Sequence, residues 1–133
     1  MSTLELDRAK FALEKIFTVR DCENRDKFLT ELRDLPARLH TAGLGQTVAS
    51  LLASAREHNA RKTIYDWLEV WLSKPPIKYP IDTRVGRGLI DCIVGRNQPA
   101  DATPVSYLAA SREARAVAVW LKKFAEAFIE PKS

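Results

Sequence analysis

The chain has 133 residues, of which 46% are hydrophobic and 29% are charged. These values are typical of one globular domain and argue against a disordered chain. No apolar run approaches the ~20 residues that a membrane-spanning helix needs, and the N-terminus lacks the pattern of a secretory signal. We therefore expect a soluble cytoplasmic protein with no membrane partner, in which Cys22 and Cys92 are free thiols.

The net charge of +4 is unevenly distributed along the chain. Residues 1–73 contain equal numbers of basic and acidic residues, whereas residues 74–133 contain ten basic and six acidic ones. This asymmetry favours a polyanionic partner such as nucleic acid. A solvated surface with a slight basic excess explains it equally well, so charge alone leaves both interpretations open.

The first half of the chain is predicted to be helical. Apolar residues three and four positions apart predict helices from about residue 4 to 20 and from about 25 to 41, with a polar break between them. Pro36 falls inside the second helix and removes one backbone hydrogen bond, so we expect a kink or two helical pieces there. A third helix is predicted over about 45–57.

The second half continues the pattern with one long interruption. A fourth helix is predicted over about 62–73, and the following segment, KPPIKYPIDTRVGRG, predicts a loop because it contains three prolines in six residues. LIDCIVG at 89–95 fits either a short buried helix or a strand. We predict a helix, because the chain offers no second strand with which a first one would pair.

The final helix has the clearest pattern. Its apolar residues alternate steps of four and three over almost three heptads, at Ala110, Ala114, Val117, Leu121, Phe124 and Phe128. Thr103 is predicted to cap this helix, with Pro104 in its first turn and Pro131 marking its end. The chain is thus predicted to be all-α, a single compact bundle of about five to six helices formed by residues 1–133.

Gly43-Leu44-Gly45 fits either the start of a phosphate-binding loop or a corner between two helices. Phosphate-binding glycine motifs follow a buried strand and carry a third glycine or a lysine at fixed spacing, and this segment has neither. Gly43 instead fits the residue just past a helix end, where a left-handed backbone favours glycine. We predict a corner, and we reject a phosphate loop at RVGRG (84–88) on the same grounds.

No local pattern indicates catalysis, a metal or a cofactor. The two histidines and two cysteines lack metal-ligand spacing, and no nucleophile motif such as GxSxG is present. The carboxylates occur singly near Lys or Arg, which predicts surface salt bridges rather than an acid–base pair. Trp67 and Trp71 have helical spacing and are predicted to be core residues rather than base-stacking ones. We predict no enzyme activity, although a hydrolase site assembled only by the fold stays open.

The back of the final helix is basic. At 100° per residue, Arg112 lies opposite Leu121, and three further basic residues lie on the same side, partly offset by Glu126; these are Arg115, Lys122 and Lys123. Such a stripe can position a nucleic-acid strand through its phosphates without reading bases. The solvated face of a bundle helix has the same periodicity, so the pattern leaves both interpretations open.

Two segments together resemble the small subunit of the type III-B CRISPR effector, the Cmr complex. LPARLHTAGLGQTVASLLAS at 35–54 is similar to the family's "LP…I…NGLGQTLAFL", and SREARAVAVWLKKFAEAF at 111–128 is similar to its "R…T.EALAFL.WLKRFAEA". Both lie in the right order and separation, and they cover about a third of the chain. Ala42 departs from the Asn that the family often has, and Ser111 and Arg112 replace its Thr-bearing approach to the last helix.

The resemblance implies a non-catalytic helical subunit of an antiviral ribonucleoprotein. Its expected partners are the backbone subunit and other Cmr subunits, further copies of itself in a filament, and the guide and target RNA. From charge placement we predict RNA contacts at Arg112, Arg115, Lys122 and Lys123, with Arg38, Arg84 and Arg87 as weaker candidates. Ile77 and Tyr79 of the proline-rich loop are expected to be exposed and to contact a neighbouring subunit. The alternative is a helical adaptor that binds only protein.

Overall fold

The structure is a computed structural model that describes residues 1–55, 59–96 and 103–132. These ranges contain no strand, and their helices are α1 (Thr3–Val19), α2 (Arg25–Ala53), α3 (Asn59–Ser73), α4 (Gly88–Ile93) and α5 (Pro104–Phe128). The all-α prediction is confirmed, including the helix at the segment that also fitted a strand. No helix in the described ranges is both long and apolar enough to cross a membrane.

The first and last helices begin at side-chain caps. Ser2 accepts a hydrogen bond from the backbone N–H of Glu5 at 3.1 Å. Thr103 accepts one from the N–H of Ser106, whose hydroxyl accepts in turn from the N–H of Thr103, which forms a reciprocal capping box. The predicted cap at Thr103 is therefore confirmed, and α5 ends at Phe128, three residues before Pro131.

The break in α2 lies at Gly43, which confirms the predicted corner, and not at Pro36. The backbone keeps helical dihedral angles through Pro36 and leaves them only at Gly43. The helix is not divided into two pieces at the proline, because three buried leucines flanking it hold both turns against the core; they are Leu32, Leu35 and Leu39. Gly43 has φ 85° and ψ 168°, so φ is positive as predicted, but ψ places it in an extended region that is essentially restricted to glycine.

A hydrogen bond joins the corner at Gly43 to α5. The backbone N–H of Gly45 donates to the hydroxyl of Tyr107 at 3.1 Å. The helical piece beyond the corner ends at Ala53, and the predicted extension to residue 57 reaches past the described range 1–55. α3 begins three residues earlier than predicted, at Asn59.

The core lies where α5 packs against α1 and α2, and where α2 packs against α3 and α4. Trp67 stacks on Phe28 with ring centroids 5.7 Å apart, and Trp71 packs on Phe11 at 4.8 Å. Both indoles are buried, which confirms that the tryptophans belong to the core.

The proline-rich loop does not expose Tyr79. Tyr79 is buried, and Ile77 is partly buried against the core. The N–H of Tyr79 donates to the carbonyl of Leu72 at 2.9 Å, which folds the loop back onto the end of α3 and directs the phenol ring inward. The expectation that Tyr79 forms an exposed subunit contact is therefore wrong, whereas the contact at Ile77, which keeps part of its surface exposed, stays a prediction.

Candidate nucleic-acid interface

The two sides of α5 differ sharply in burial. Four small or apolar residues on its inner side have no solvent exposure; they are Ala110, Ala114, Val117 and Leu121. Arg112 and Lys123 lie exposed on the other side, and Arg115 and Lys122 are half-buried along the edge of the stripe. The helical periodicity therefore places the four basic residues as the sequence predicts, on the side of α5 that faces away from the core.

The four basic residues of α5 form no ion pair with an acidic residue of the described ranges. Arg112 and Lys122 have no hydrogen bond or ion pair with any residue of the described ranges, whereas Arg115 Nη1 lies 3.3 Å from His40 Nδ1. The ammonium of Lys123 lies 5.9 Å from the centroid of the Trp120 indole, where the ring face attracts a cation. None of these contacts neutralises a positive charge.

Glu126 pairs with α2 rather than with the basic stripe. Its carboxylate lies 3.6 Å from the guanidinium of Arg33. Glu126 follows the stripe along α5, and its charge is partly balanced by that arginine. The four basic residues therefore keep more of their positive potential than the sequence of α5 suggests.

Arg38 belongs to a network of charges on α2 and α3. Its guanidinium lies 3.1 Å from Glu31 and 3.7 Å from Asp34. Arg61 of α3 contacts the same buried Glu31 at 2.9 Å. Arg38 is thus held by two carboxylates, unlike the basic residues of α5, and its contact with RNA stays a prediction.

Arg84 and Arg87 line a cleft formed by the loop before α4. The guanidinium of Arg84 contacts Asp82 at 2.9 Å, and that of Arg87 contacts Asp91 at 3.3 Å. The hydrogen bonds from Arg84 lower the pKa of the exposed Asp82 carboxyl. The cleft measures about 550 Å³ and is also lined by Arg96, which was not among the predicted RNA contacts.

Three carboxylates that were predicted to form surface salt bridges are buried, namely Glu31, Glu69 and Glu113, and Glu113 lies on α5. It is almost fully buried and accepts two hydrogen bonds of 2.7 Å from Arg8, together with one of 2.9 Å from the indole N–H of Trp71. This carboxylate is therefore not a surface salt bridge as expected. Its position was readable, because Glu113 falls in step with the buried Ala110 and Val117 on the inner side of α5.

A cluster of half-exposed aromatic rings follows the α1 side of α5; we call it the aromatic edge, and it consists of Phe17, Trp120, Phe124 and Phe128. Phe17 and Phe128 meet edge to face at 5.2 Å and are 46% and 40% exposed. The guanidinium of Arg20 lies 4.4 Å from the ring centroid of Phe17. The periodicity of α5 predicted that Phe124 and Phe128 lie on its apolar side, and their partial exposure beside Phe17 was not predicted.

In the described ranges, the residue types that often act in catalysis or bind metals occupy structural positions. Within the described ranges, no group of three or more His, Cys, Asp or Glu residues is placed to hold a metal ion. Cys22 and Cys92 are free, and burial raises the pKa of the Cys92 thiol. Glu69 is buried and accepts a hydrogen bond from the N–H of Leu89. His58 lies outside the described residues.

Comparison with known proteins identifies a family and a similar fold. Residues 4–128 match the model of the family described as CRISPR-associated protein (Cas_Cmr5). The crystal structure of a CRISPR-associated Cmr5 family protein from Thermus thermophilus is similar with a TM-score of 0.72 and 27% sequence identity, over 97% of this chain and 100% of that one. No curated protein matches the chain.

Proposed function

Because the chain belongs to the Cas_Cmr5 family of CRISPR-associated proteins, we propose that it is a non-catalytic small subunit of a type III-B (Cmr) ribonucleoprotein. In this proposal its copies stack into a filament beside the backbone subunit in the cytoplasm. The filament helps to hold the target RNA strand while that strand is paired to guide RNA.

The observation that supports the RNA contact is the unneutralised basic face of α5. Arg112 and Lys122 have no acidic partner in the described ranges, and the nearest partners of Arg115 and Lys123 are a histidine and an indole. Arg38 on α2 differs, because its guanidinium is bound by a carboxylate of the same chain. Free guanidinium and ammonium groups on a rigid helix suit the phosphates of a nucleic-acid strand.

The chemistry of this face favours contacts to the backbone over contacts to bases. Reading a base requires side chains that reach its edge in a fixed geometry, whereas a row of cations can neutralise any strand. In a guide-dependent complex the sequence is read by base pairing, so the protein needs only to recognise the shape and charge of the duplex. A basic helix without a base-reading pocket is sufficient for that role.

We assign the aromatic edge to contacts with the neighbouring subunits of the filament. Phe17 and Phe128 are large apolar residues that remain 46% and 40% exposed although they pack on each other. Aromatic residues are enriched in protein–protein interfaces. Arg20 lies over Phe17, so we expect the facing surface of the neighbouring subunit to be apolar with an acidic rim.

The first experiment is purification of the tagged full-length chain from its own host. We expect it to recover larger Cas subunits and a short guide RNA. If Cas subunits are recovered but charge-reversal variants of α5 bind target RNA as well as the parent chain does, the protein-only adaptor is favoured. Recovery of neither subunits nor RNA would contradict the proposal as a whole.

The second experiment reverses charge on α5 with Lys122→Glu and Lys123→Glu in the reconstituted complex. We expect normal helical content and assembly, with target RNA capture weakened at least tenfold near physiological salt. The matched control is Lys10→Glu with Lys27→Glu, which makes the same change in net charge at exposed positions on α1 and α2. Equal capture by both double variants would exclude the α5 face as an RNA contact.

A further inference from the structure

Besides the basic face of α5, the cleft before α4 is a second candidate binding site. Its half-enclosed volume is about 550 Å³, and its lining carries one positive charge in excess because Arg84, Arg87 and Arg96 face two aspartates. We propose that this cleft binds a phosphate group of a nucleotide, with the guanidinium groups on the phosphate and apolar side chains against the ribose or base. The inference rests on the proposed function only for the source of the nucleotide.

The size and lining of the cleft fit a nucleotide better than a simple ion. Its volume lies within the ~300–1,000 Å³ that small-molecule sites occupy. Ile81 is partly buried in its wall, and Val85 is 43% exposed beside it. A nucleotide combines a charged phosphate with a flat base whose faces can pack on apolar side chains, and the cleft combines guanidinium groups with aliphatic surface.

Two of the arginines are already oriented. Arg84 donates from Nε and Nη2 to the two carboxylate oxygens of Asp82, at 2.9 and 3.1 Å, and the backbone N–H of Arg84 donates to the same carboxylate at 3.0 Å. Arg87 donates from Nε to Asp91 at 3.3 Å. A guanidinium has five N–H donors, so both arginines keep donors for a ligand while their orientation is fixed.

Arg96 supplies the charge that is not offset. Its side chain forms no hydrogen bond or ion pair within the described ranges, while its backbone N–H donates to the carbonyl of Asp91 at 2.9 Å. This bond belongs to the turn that ends α4, where Gly95 has φ 82°. The turn anchors the Arg96 backbone at the rim of the cleft and leaves the whole guanidinium for an anion.

The backbone N–H groups at the start of α4 are not the ligand donors. The N–H of Leu89 donates to Glu69 at 3.0 Å, and that of Ile90 donates to the hydroxyl of Tyr65 at 3.2 Å. The phosphate is therefore held by side chains. The loop and α4 are tightly joined, because a Cβ at Gly88 would lie 2.0 Å from the carbonyl oxygen of Asp82. This close contact keeps Arg84 and Arg87 on one cleft.

The test is NMR titration of the isolated full-length chain with adenosine monophosphate (AMP), adenosine, inorganic phosphate and a ten-nucleotide oligoadenylate. We expect AMP to shift the amide signals of Arg84, Gly86, Gly88 and Arg96, and adenosine to leave them unchanged. Arg96→Gln should weaken AMP binding at least tenfold. Arg33→Gln is the matched control, because it removes a guanidinium that is also exposed to solvent but lies outside the cleft, beside Glu126.

The remaining outcomes show whether the phosphate belongs to an RNA strand or to a free nucleotide. They also separate a failure of this inference from a failure of the proposed function. Tighter binding of the oligonucleotide than of AMP assigns the cleft to an RNA strand, and the reverse assigns it to a free nucleotide. Equal shifts with adenosine and AMP, no shifts in the cleft, or full binding by Arg96→Gln would each overturn the inference. Co-purification does not depend on this cleft, so a chain that binds AMP but recovers no Cas subunit would contradict only the proposed function.

Discussion

The inner and outer sides of α5 both carry charged residues, and they use them in different ways. Glu113 on the inner side accepts three hydrogen bonds of 2.7 to 2.9 Å from Arg8 and Trp71. Arg112 on the outer side has no such partner in the described part of the chain. The inner charge is satisfied by the fold, whereas the outer charge is available to a ligand.

This difference shows that the partners of a charged residue, rather than its presence, indicate its role. A buried carboxylate is costly unless it is paired and fully hydrogen-bonded, so Glu113 must be supported by its own neighbours. An exposed cation costs little when unpaired, because water solvates it. Substitutions on the inner side should therefore change stability, and substitutions on the outer side should change binding.

The largest expected effect is that of Glu113→Gln. The amide removes the negative charge and leaves the partly buried guanidinium of Arg8 without its partner, which typically costs ~3–5 kcal/mol. Chemical denaturation should show this loss as a lower midpoint with an unchanged slope. The control is Glu126→Gln, which removes an exposed pair with Arg33 and should cost ~0–1 kcal/mol. Similar losses in both variants would contradict the contrast between the two sides.

A smaller effect is expected for Trp71→Phe, which removes the indole donor to Glu113. The buried carboxylate oxygen loses one of its hydrogen bonds, so we expect a loss of ~1–3 kcal/mol beyond the effect of the smaller ring. Trp67→Phe is the matched control, because Trp67 is equally buried and stacks on Phe28. Denaturation midpoints measured side by side should place Trp71→Phe lower, and equal midpoints would mean that the hydrogen bond contributes nothing measurable.

Most of the fold was predictable because helical periodicity is a local property. The steps of four and three in α5 predicted its buried side, and the cap at Thr103 was readable from the residue types at its start. The corner at Gly43 was predicted from its glycine, and a second interruption was expected at Pro36 because proline is a strong local helix breaker. The structure leaves helical dihedral angles at Gly43 and keeps them through Pro36, where buried leucines on both sides of the proline hold the helix against the core. That competition between local and tertiary forces is not visible in sequence.

The candidate sites were predictable only as far as they lie on one helix. The outer side of α5 follows from its own sequence, whereas the cleft requires Arg84 and Arg96 to meet across a loop and a short helix. The aromatic edge likewise joins Phe17 of α1 to Phe128 of α5. Such contacts depend on how helices pack. The burial of Tyr79 was missed for the same reason, because a hydrogen bond to Leu72 folds its loop inward.

On the outer side, Arg112→Gln should leave stability almost unchanged, within ~0.5 kcal/mol, because the residue is exposed and touches no special feature of the fold. In the assembled complex, it should weaken target RNA binding and reduce the slope of log affinity against log salt by about 0.7–0.9, the value for one phosphate contact. Binding titrations at several salt concentrations measure this slope. A weaker affinity with an unchanged slope would show that Arg112 does not contact a phosphate.

The smallest expected effect concerns the pair of Asp82 and Arg84. These two charges are paired, like the charge of Glu113 on the inner side of α5, but they are exposed to solvent, like the charges on its outer side. The hydrogen bonds from Arg84 lower the pKa of Asp82, so a carboxyl titration followed by NMR should give a value below the ~3.9 of a free Asp. Because the folded-state pKa is the lower one, the pair stabilises the fold above the unfolded pKa and loses this effect as pH falls through the folded one. Asp82→Asn should therefore unfold at a slightly lower denaturant concentration than the parent chain at neutral pH, and at the same concentration in strong acid. Arg84→Ala should return the pKa of Asp82 towards the ordinary value. If the parent chain already shows an ordinary pKa at Asp82, the ion pair does not persist in solution. Arg84 would then not be oriented in advance for a ligand in the cleft.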